Sequence, residues 1–273
     1  MRKPRRPARR PTALVVGGRG RMGRLFARWL KGRRFHVLVA DPAGAPAGFA
    51  KGSLDDAAGA DVVVVAASLS RAAEVLSDVV ARHPKGLVFD IASVKTPLVP
   101  TLEEAVRRGL AIASVHPMFG PDVASFRGHD LIVCDCGNAA AARRVRTLFV
   151  GSGVKVAAMP LAEHDPWVAR TMGLTHALAL GVAAALAVLE VEMKKLDGRA
   201  STSFRRLVEL VEPILDQEAE LTWTIQTGNP HSEEALLQLE REMTAVRKLF
   251  FHEPPERLDA ALAGLRKALH RRR

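Results

Sequence analysis

The residues best suited to chemistry lie in three short segments. Gly18, Gly20 and Gly23 fall in GxGxxG spacing within Gly17-Gly18-Arg19-Gly20-Arg21-Met22-Gly23, directly after the apolar run 13–16 and ahead of a helical pattern. Between a strand and a helix, a glycine at 18 permits the tight turn. One at 20 lets the backbone approach a pyrophosphate, and one at 23 lets the helix pack against the strand. The helix N-terminus then offers free N–H groups to the phosphates. Asp41 ends the second apolar run, at about the interval where a carboxylate accepts hydrogen bonds from adenosine ribose hydroxyls. Such a carboxylate repels a 2′-phosphate, so NAD is expected ahead of NADP, although Arg19 and Arg21 could reach a phosphate there. A plain turn role for Asp41 before Pro42 stays open. Arg19, Arg21, Met22 and, past the third apolar run, Ser68 complete the expected cofactor-binding set.

Two further segments follow strand-like runs: Asp90-Ile91-Ala92-Ser93-Val94-Lys95, and the stretch from Ser114 through His116-Pro117-Met118-Phe119-Gly120-Pro121 to Asp122. In an open parallel sheet the ends of the strands carry the ligand crevice. A histidine past an apolar strand and before Pro-Met-Phe-Gly-Pro is poorly explained by packing, yet His116 taken alone is as readily structural as catalytic. Ser93 is either a site hydroxyl or a helix N-cap or turn serine.

These segments need a scaffold, and the hydrophobic pattern supplies one. Apolar runs at 13–16, 35–40, 61–67, 86–92, 110–115 and 130–134 alternate with helical stretches. In the first, Leu25, Phe26, Trp29 and Leu30 share one side, and in the second Val75, Leu76, Val79 and Val80 do so. Strands alternating with helices predict a parallel sheet covered by helices. Past about Lys155 the β-branched runs stop. Long Ala/Leu/Glu-rich stretches follow, interrupted at Gly198, Pro213, 228–230 and 254–255. The expected fold class is α/β: a basic tail over 1–11, a Rossmann-type dinucleotide-binding domain over 12–158, and an all-helical substrate and dimerisation domain over 159–273. The stretch 168–196 is apolar enough to be buried nearly all round, which points to a homodimer formed through the helical domain.

At 273 residues and 48% hydrophobic content the chain can bury a large core. No membrane span is expected, on the reading that no run of about 18 uncharged apolar residues occurs, and the N-terminus lacks an apolar signal core. Cys134 and Cys136 lie two apart in a strand-like run and form no disulfide framework, which fits a reducing, cytoplasmic setting. The net charge of +11 sits mostly at the ends, six Lys/Arg in the first ten residues and Arg271 to Arg273 at the other end. Basic tails without interleaved aromatic residues are ordinarily solvated ends, so a nucleic-acid partner is not expected.

Four blocks together are specific. GGRGRMGRLFA (17–27), DIASVK (90–95), SVHPMFGPD (114–122) and EHDPWVARTMGLTHALA (163–179) resemble the matching blocks of prephenate dehydrogenase, especially the dehydrogenase half of the bifunctional chorismate mutase/prephenate dehydrogenase. The resemblance runs from about residue 13 to 180. It implies NAD-dependent oxidative decarboxylation of a prephenate-type cyclohexadiene, a small dicarboxylate, with no metal. By the resemblance His116 accepts a hydrogen bond from the C4 substituent and helps remove its proton as hydride leaves C4. Ser93 bonds near His116, the substrate and the nicotinamide. His176 lines the substrate pocket, where a satisfied core histidine is the alternative. Glu163-His164-Asp165 is read mainly as the start of the long helix, with Asp165 favouring its dipole.

One departure concerns the arginine with which the family binds a substrate carboxylate. Its expected position falls at Pro213 or Ile214, with Arg205 and Arg206 about two turns earlier. Either arginine could substitute, or both simply occupy an exposed helix face. Neither a chorismate mutase nor an ACT domain is expected, and the stripped-down form resembles 4-amino-4-deoxyprephenate dehydrogenases, whose substrate carries an amine at C4. Two other classes are weighed: an inactive NAD-binding sensor with basic tails, and a β-hydroxyacid dehydrogenase. The latter ordinarily uses a lysine on the long helix, and 168–180 contains none.

Overall fold

Alternate residues of β1 (Thr12–Val16) enter two apolar layers, Ala13 and Val15 on one face of the sheet and Leu14 and Val16 on the other. Burial of a strand on both faces is what a continuous apolar run encodes. A computed structural model describes residues 9–191 and 198–270. The tail arginines at 1–8, Arg271 to Arg273 and part of the apolar stretch expected over 168–196 lie outside these residues. Residues 9–11 are tied down: Arg9 pairs with Asp61 at 3.2 Å, and the Pro11 carbonyl accepts the His36 N–H at 2.8 Å.

The remaining strands are β2 (His36–Ala40), β3 (Ala50–Lys51), β4 (Val62–Val65), β5 (Leu87–Asp90), β6 (Ile112–Pro117), β7 (Asp130–Asp135) and β8 (Lys155–Pro160). They form an eight-stranded sheet in the order β3-β2-β1-β4-β5-β6-β7-β8. All pairs are parallel except β6 with β7, so the expected parallel sheet carries one antiparallel junction. The chain order reverses between β1 and β4, and a crevice opens there beyond the strand ends. Strand β8 escapes the pattern because it is a largely exposed edge strand with a single β-branched residue, Val156, and β3 because it is an exposed edge of two residues.

Helices α1 (Arg21–Gly32), α2 (Ala72–Ala81), α3 (Val99–Arg107) and α4 (Ala139–Leu148) cover the sheet. Helix α1 buries Leu25, Phe26 and Leu30, and Phe26 and Trp29 pack among Phe126 and Phe149, with Trp29 stacked on Phe149 at 4.7 Å. Each fully buried side chain of this size contributes about 1.5–3 kcal/mol. Cys134 and Cys136 are buried free thiols, and burial pushes the Cys134 thiol up to about 12.

Two compact units divide the chain, one of residues 1–168 with 218–230 and one of 169–217 with 231–273. The first unit takes in α5 (Leu161–Val168) and α8 (Ala219–Thr227) beside the sheet. Two contacts show why: Asn229 Nδ2 donates to the Asp165 carbonyl at 2.8 Å, and Ser70 Oγ donates to Glu220 at 2.7 Å. In the second unit a π-helical turn, Ala169–Gly173, leads into α6 (Leu174–Val188), which packs on α7 (Thr202–Leu215) and α9 (Ser232–His252). Helix α10 (Pro255–His270) packs on α9. The buried cluster of this unit is small: Ala179, Val211 and Ile214, backed by Val182 and Ala183.

The expected all-round burial of the long apolar helix does not occur within one chain. Of α6, only His176 and Ala179 are buried, while Val188 is 82% and Leu189 72% exposed. The helical span Leu161–Val188, of mean hydropathy 1.7, is also long and apolar enough to cross a membrane by length and composition alone. This corrects the expectation that no such run occurs: from Thr171 to Leu189 there is no Asp, Glu, Lys or Arg, and abundant Ala, Gly and Thr disguise the run.

Candidate functional site

The glycine loop leaves β1 at the crevice. Gly17 has φ 79°, a conformation that favours glycine, and an added Cβ there would lie 2.5 Å from the Ala66 carbonyl. An added Cβ at Gly18 would meet Val39 at 2.7 Å, and one at Gly23 would meet the Gly17 carbonyl at 2.2 Å. The first turn of α1 is therefore pressed against the loop, and its N-cap, Gly20, supplies no side-chain cap. Beside it lies a cavity of about 380 Å³ lined by Gly17, Asp41, Ser53, Ser68 and Arg71, among others. Asp41 performs the turn role as well as facing this cavity: its carboxylate accepts the Arg19 and Ala43 N–H groups, each at 3.0 Å. Each oxygen keeps a lone pair for a ribose hydroxyl. Bare backbone at a helix N-terminus with a carboxylate one strand away fits a dinucleotide.

Not every expected cofactor residue turns toward that cavity. Arg19 folds onto the Ala43 carbonyl at 2.8 Å. Arg21 pairs with Asp122 across the crevice at 2.7 Å, and the Met22 side chain packs on the core, leaving only its backbone to the loop.

At the ends of β5 and β6 a buried polar network forms. The Lys95 ammonium, 1% exposed, donates at 2.7 Å to both the Asp90 carboxylate and the Val115 carbonyl. Asp90 also accepts the Ala92 N–H at 2.9 Å and the Ser114 hydroxyl. A buried charge is tolerated only when paired in this way. Lys95 thus pins the DIASVK loop to the strand that carries His116.

The backbone of the same loop holds Asp165, whose carboxylate accepts the Lys95 N–H at 2.9 Å, the Thr96 N–H at 2.7 Å and the Thr96 hydroxyl at 2.6 Å. Its remaining partner is His164 Nδ1 at 2.7 Å. Burial would raise the Asp165 carboxyl, but the bonds from His164, Thr96 and Lys95 outweigh it and hold it at about 2. Facing an ionised carboxylate, His164 donates through Nδ1, which leaves its Nε2 as an acceptor. His116 Nδ1 lies 2.9 Å from that Nε2, so His116 donates through Nδ1 and carries its lone pair on Nε2. Burial, together with His164 and Lys95, pushes His116 well below the ordinary histidine range, which keeps the ring neutral. His116 Nε2 has no partner among the described residues. It is not one of the sealed, unpartnered atoms, which are His176 Nδ1 and Ser232 Oγ, so it keeps access to solvent.

One expectation is revised here. Glu163-His164-Asp165 is not merely a helix start: His164 and Asp165 are buried and hold His116. Ser93, expected to bond near His116, the substrate and the nicotinamide, makes no protein hydrogen bond among the described residues and does not cap a helix. In the helical unit, His176 is 8% exposed, its pKa lowered by burial. Arg205 and Arg206 are exposed on α7, and Ile214 is buried in the small apolar cluster. Among the described residues no group of three or more His, Cys, Asp or Glu could hold a metal ion.

The chain is 29% identical over 273 residues to the 4-amino-4-deoxyprephenate dehydrogenase of Streptomyces pristinaespiralis, a match covering 94% of this chain and 90% of the relative. It is 28% identical over 236 residues to the "probable arogenate/prephenate dehydrogenase" of Methanocaldococcus jannaschii, which covers 82% of this chain but spans about half, 53%, of the relative. In fold it is similar to the prephenate dehydrogenase of A. aeolicus solved with hydroxyphenyl propionate and NAD+, with a TM-score of 0.76 and 19% identity over 96% of this chain and 98% of that one. The family model for the prephenate dehydrogenase nucleotide-binding domain matches residues 41–159, beginning at Asp41, after the glycine loop, α1 and β2. That for the prephenate dehydrogenase dimerization domain matches 160–264. The two models run unbroken over most of the sequence, and the chain belongs to the prephenate dehydrogenase family.

Proposed function

We propose that this protein is an NAD-dependent dehydrogenase that oxidatively decarboxylates a prephenate-type cyclohexadiene, with His116 as the catalytic base. The observation that carries the proposal is the neutral His116, whose Nε2, without a partner among the described residues, stands at the end of β6. When bound, the nicotinamide supplies the acceptor for the hydride leaving ring C4. His116 Nε2 accepts a hydrogen bond from the C4 hydroxyl or amine and takes its proton as the C4–H bond breaks. The ring carboxylate then leaves as CO2, the electron pair of the broken C–C bond fills the aromatic ring, and the proton on Nε2 returns to the C4 substituent. The glycine loop and the α1 N-terminus bind the pyrophosphate, and Asp41 binds the adenosine ribose.

Ser93, on the loop pinned by Lys95, is the candidate to align the substituent, its hydroxyl having no partner among the described residues. His176 and, in place of the family arginine, Arg205 or Arg206 are the candidates for the substrate carboxylates. The chain acts as a homodimer through its helical unit. The unburied apolar surface of α6, α9 and α10, including Val188, Phe251 and Leu269, and the match to a dimerization domain support this. An inactive sensor has no use for the His116 network and finds no support.

A hydroxyl and an amine at C4 ask the same of His116, and the near full-length match to the Streptomyces relative favours the amine. Purified protein mixed with NAD and prephenate, arogenate or 4-amino-4-deoxyprephenate, with NADH absorbance followed, decides among them. Silence with all three overturns the proposal.

A further inference from the structure

Among the buried groups, His164 stands out because it is the one side-chain hydrogen-bond partner of His116 among the described residues, and its own side chain is fully buried. We propose that His164 is a positioning residue that sets the tautomer of His116. This inference rests on His116 being the base proposed above, but its physical content concerns two rings and one carboxylate of this chain.

Asp165 is fixed by two backbone N–H groups and the Thr96 hydroxyl, so its free lone pair toward His164 has one direction. His164 Nδ1–H answers it at 2.7 Å. With that proton placed, His164 Nε2 can only accept, and the Nδ1 of His116 at 2.9 Å must donate. The opposite tautomer of His116 would set two lone pairs against each other in a buried site, losing a hydrogen bond and leaving both nitrogens unsatisfied. The arrangement extends the histidine-orienting carboxylate of hydrolytic triads by one imidazole. When His116 Nε2 takes the substrate proton, Nδ1–H stays in place and keeps donating to His164. No proton moves beyond His116. The charged groups facing the pair are Lys95, which opposes a cation on either ring, and Asp165 and Asp90, which favour one.

Two substitutions separate the roles of the His164 ring. In His164→Gln the amide oxygen can stand where Nε2 stood and still accept from His116. In His164→Asn the shorter side chain can reach Asp165 but not His116. The experiment is ¹⁵N NMR of histidine-labelled protein, with His116 identified by its loss in His116→Asn, alongside steady-state kinetics and NAD titration.

The wild-type spectrum is expected to show His116 protonated at Nδ1 and bare at Nε2. His164→Gln keeps that pattern and most of kcat. His164→Asn mixes the tautomers or inverts them and lowers kcat by on the order of 10²-fold, with NAD affinity and the KM for NAD little changed. A wild-type His116 protonated at Nε2 overturns the inference without any variant. So does a His164→Asn protein with unaltered tautomer and kcat. The spectrum needs no substrate, so an enzyme silent toward all three candidate substrates refutes the proposed activity and leaves the tautomer assignment to be judged separately.

Discussion

His164 Nε2 stands 2.9 Å from His116 Nδ1, and Asp165 Oδ1 stands 2.7 Å from the other nitrogen of the same His164 ring. The carboxylate, the intermediate imidazole and the terminal imidazole come from two elements nearly fifty residues apart. Together they present one lone pair at the end of β6.

His116→Asn removes that lone pair while leaving the strand and its neighbours in place. Its kcat is expected to fall by on the order of 10³-fold, as the loss of a general base ordinarily costs about 10²–10⁴. NAD affinity, set by the glycine loop, stays within about twofold. A titration of NAD fluorescence quenching beside steady-state rates reads both numbers, and retention of full kcat removes His116 from the chemistry.

Because burial pushes His116 below the ordinary histidine range, its base form persists into mildly acidic solution. The acid limb of the kcat/KM profile is expected clearly below pH 6.5, where an exposed histidine would place it. A limb at or above that value contradicts the buried, neutral ring. Stability has the same sign. His116 and His164 are both held below their unfolded values, so the unfolded chain binds more protons as pH falls through about 6.5, and stability is lost in that direction.

Much of the scaffold is legible in the sequence because sheet burial and helix amphipathicity write themselves at short range. Ala13 and Val15 alternate with Leu14 and Val16, and Leu25, Phe26 and Leu30 recur at helical spacing. The glycine loop is equally local, each glycine answering to backbone within a few ångströms. Asp165 is different. It looks like a favourable residue in a first helical turn, and nothing within ten residues shows that its carboxylate closes on the Lys95 and Thr96 backbone, seventy residues earlier. Lys95 likewise resembles a loop lysine until Asp90 and Val115 are seen to enclose it. A hint was present in the matched Glu163-His164-Asp165 block, which offers an imidazole beside a carboxylate. Strand β8 is hidden for another reason, since its edge position leaves it largely exposed and Val156 is its one β-branched residue.

Asp165 supplies a second acid-sensitive term with its own window. Held at about 2 in the folded chain against an ordinary 3.8, it contributes on the order of 2 kcal/mol above pH 4. That contribution is lost as pH falls from about 4 toward 2. Asp165→Asn is expected to lower the urea midpoint at pH 7 and to flatten its fall over that interval. A variant whose midpoint tracks the wild type at every pH rules the contribution out.

Lys95→Met leaves the Asp90 carboxylate buried without its counter-ion, and breaking a buried pair in this way costs about 3–5 kcal/mol. Asp90→Leu alone strands the Lys95 ammonium and should cost a similar amount. The double variant removes both charges, so its loss is expected to be clearly less than the sum of the two. Urea denaturation of the four proteins closes the cycle, and strict additivity would show that the 2.7 Å contact carries no coupling.

Asp41 serves two masters, and one substitution tells them apart. Its oxygens hold the Arg19 and Ala43 N–H groups and also line the cavity beside the glycine loop. Asp41→Asn keeps an acceptor for one of those N–H groups but discards the negative charge that would repel a 2′-phosphate. Arg19, whose guanidinium rests on the Ala43 carbonyl, would have to leave that bond to reach such a phosphate, but no carboxylate would then oppose it. NAD use should weaken modestly, while the ratio of kcat/KM for NAD to that for NADP falls at least about tenfold, the value of one hydrogen bond to a charged group. If the turn role were the whole story, both cofactors would suffer alike and the ratio would not move. An unchanged ratio therefore assigns Asp41 to the turn alone, and a fall in the ratio assigns it to the ribose.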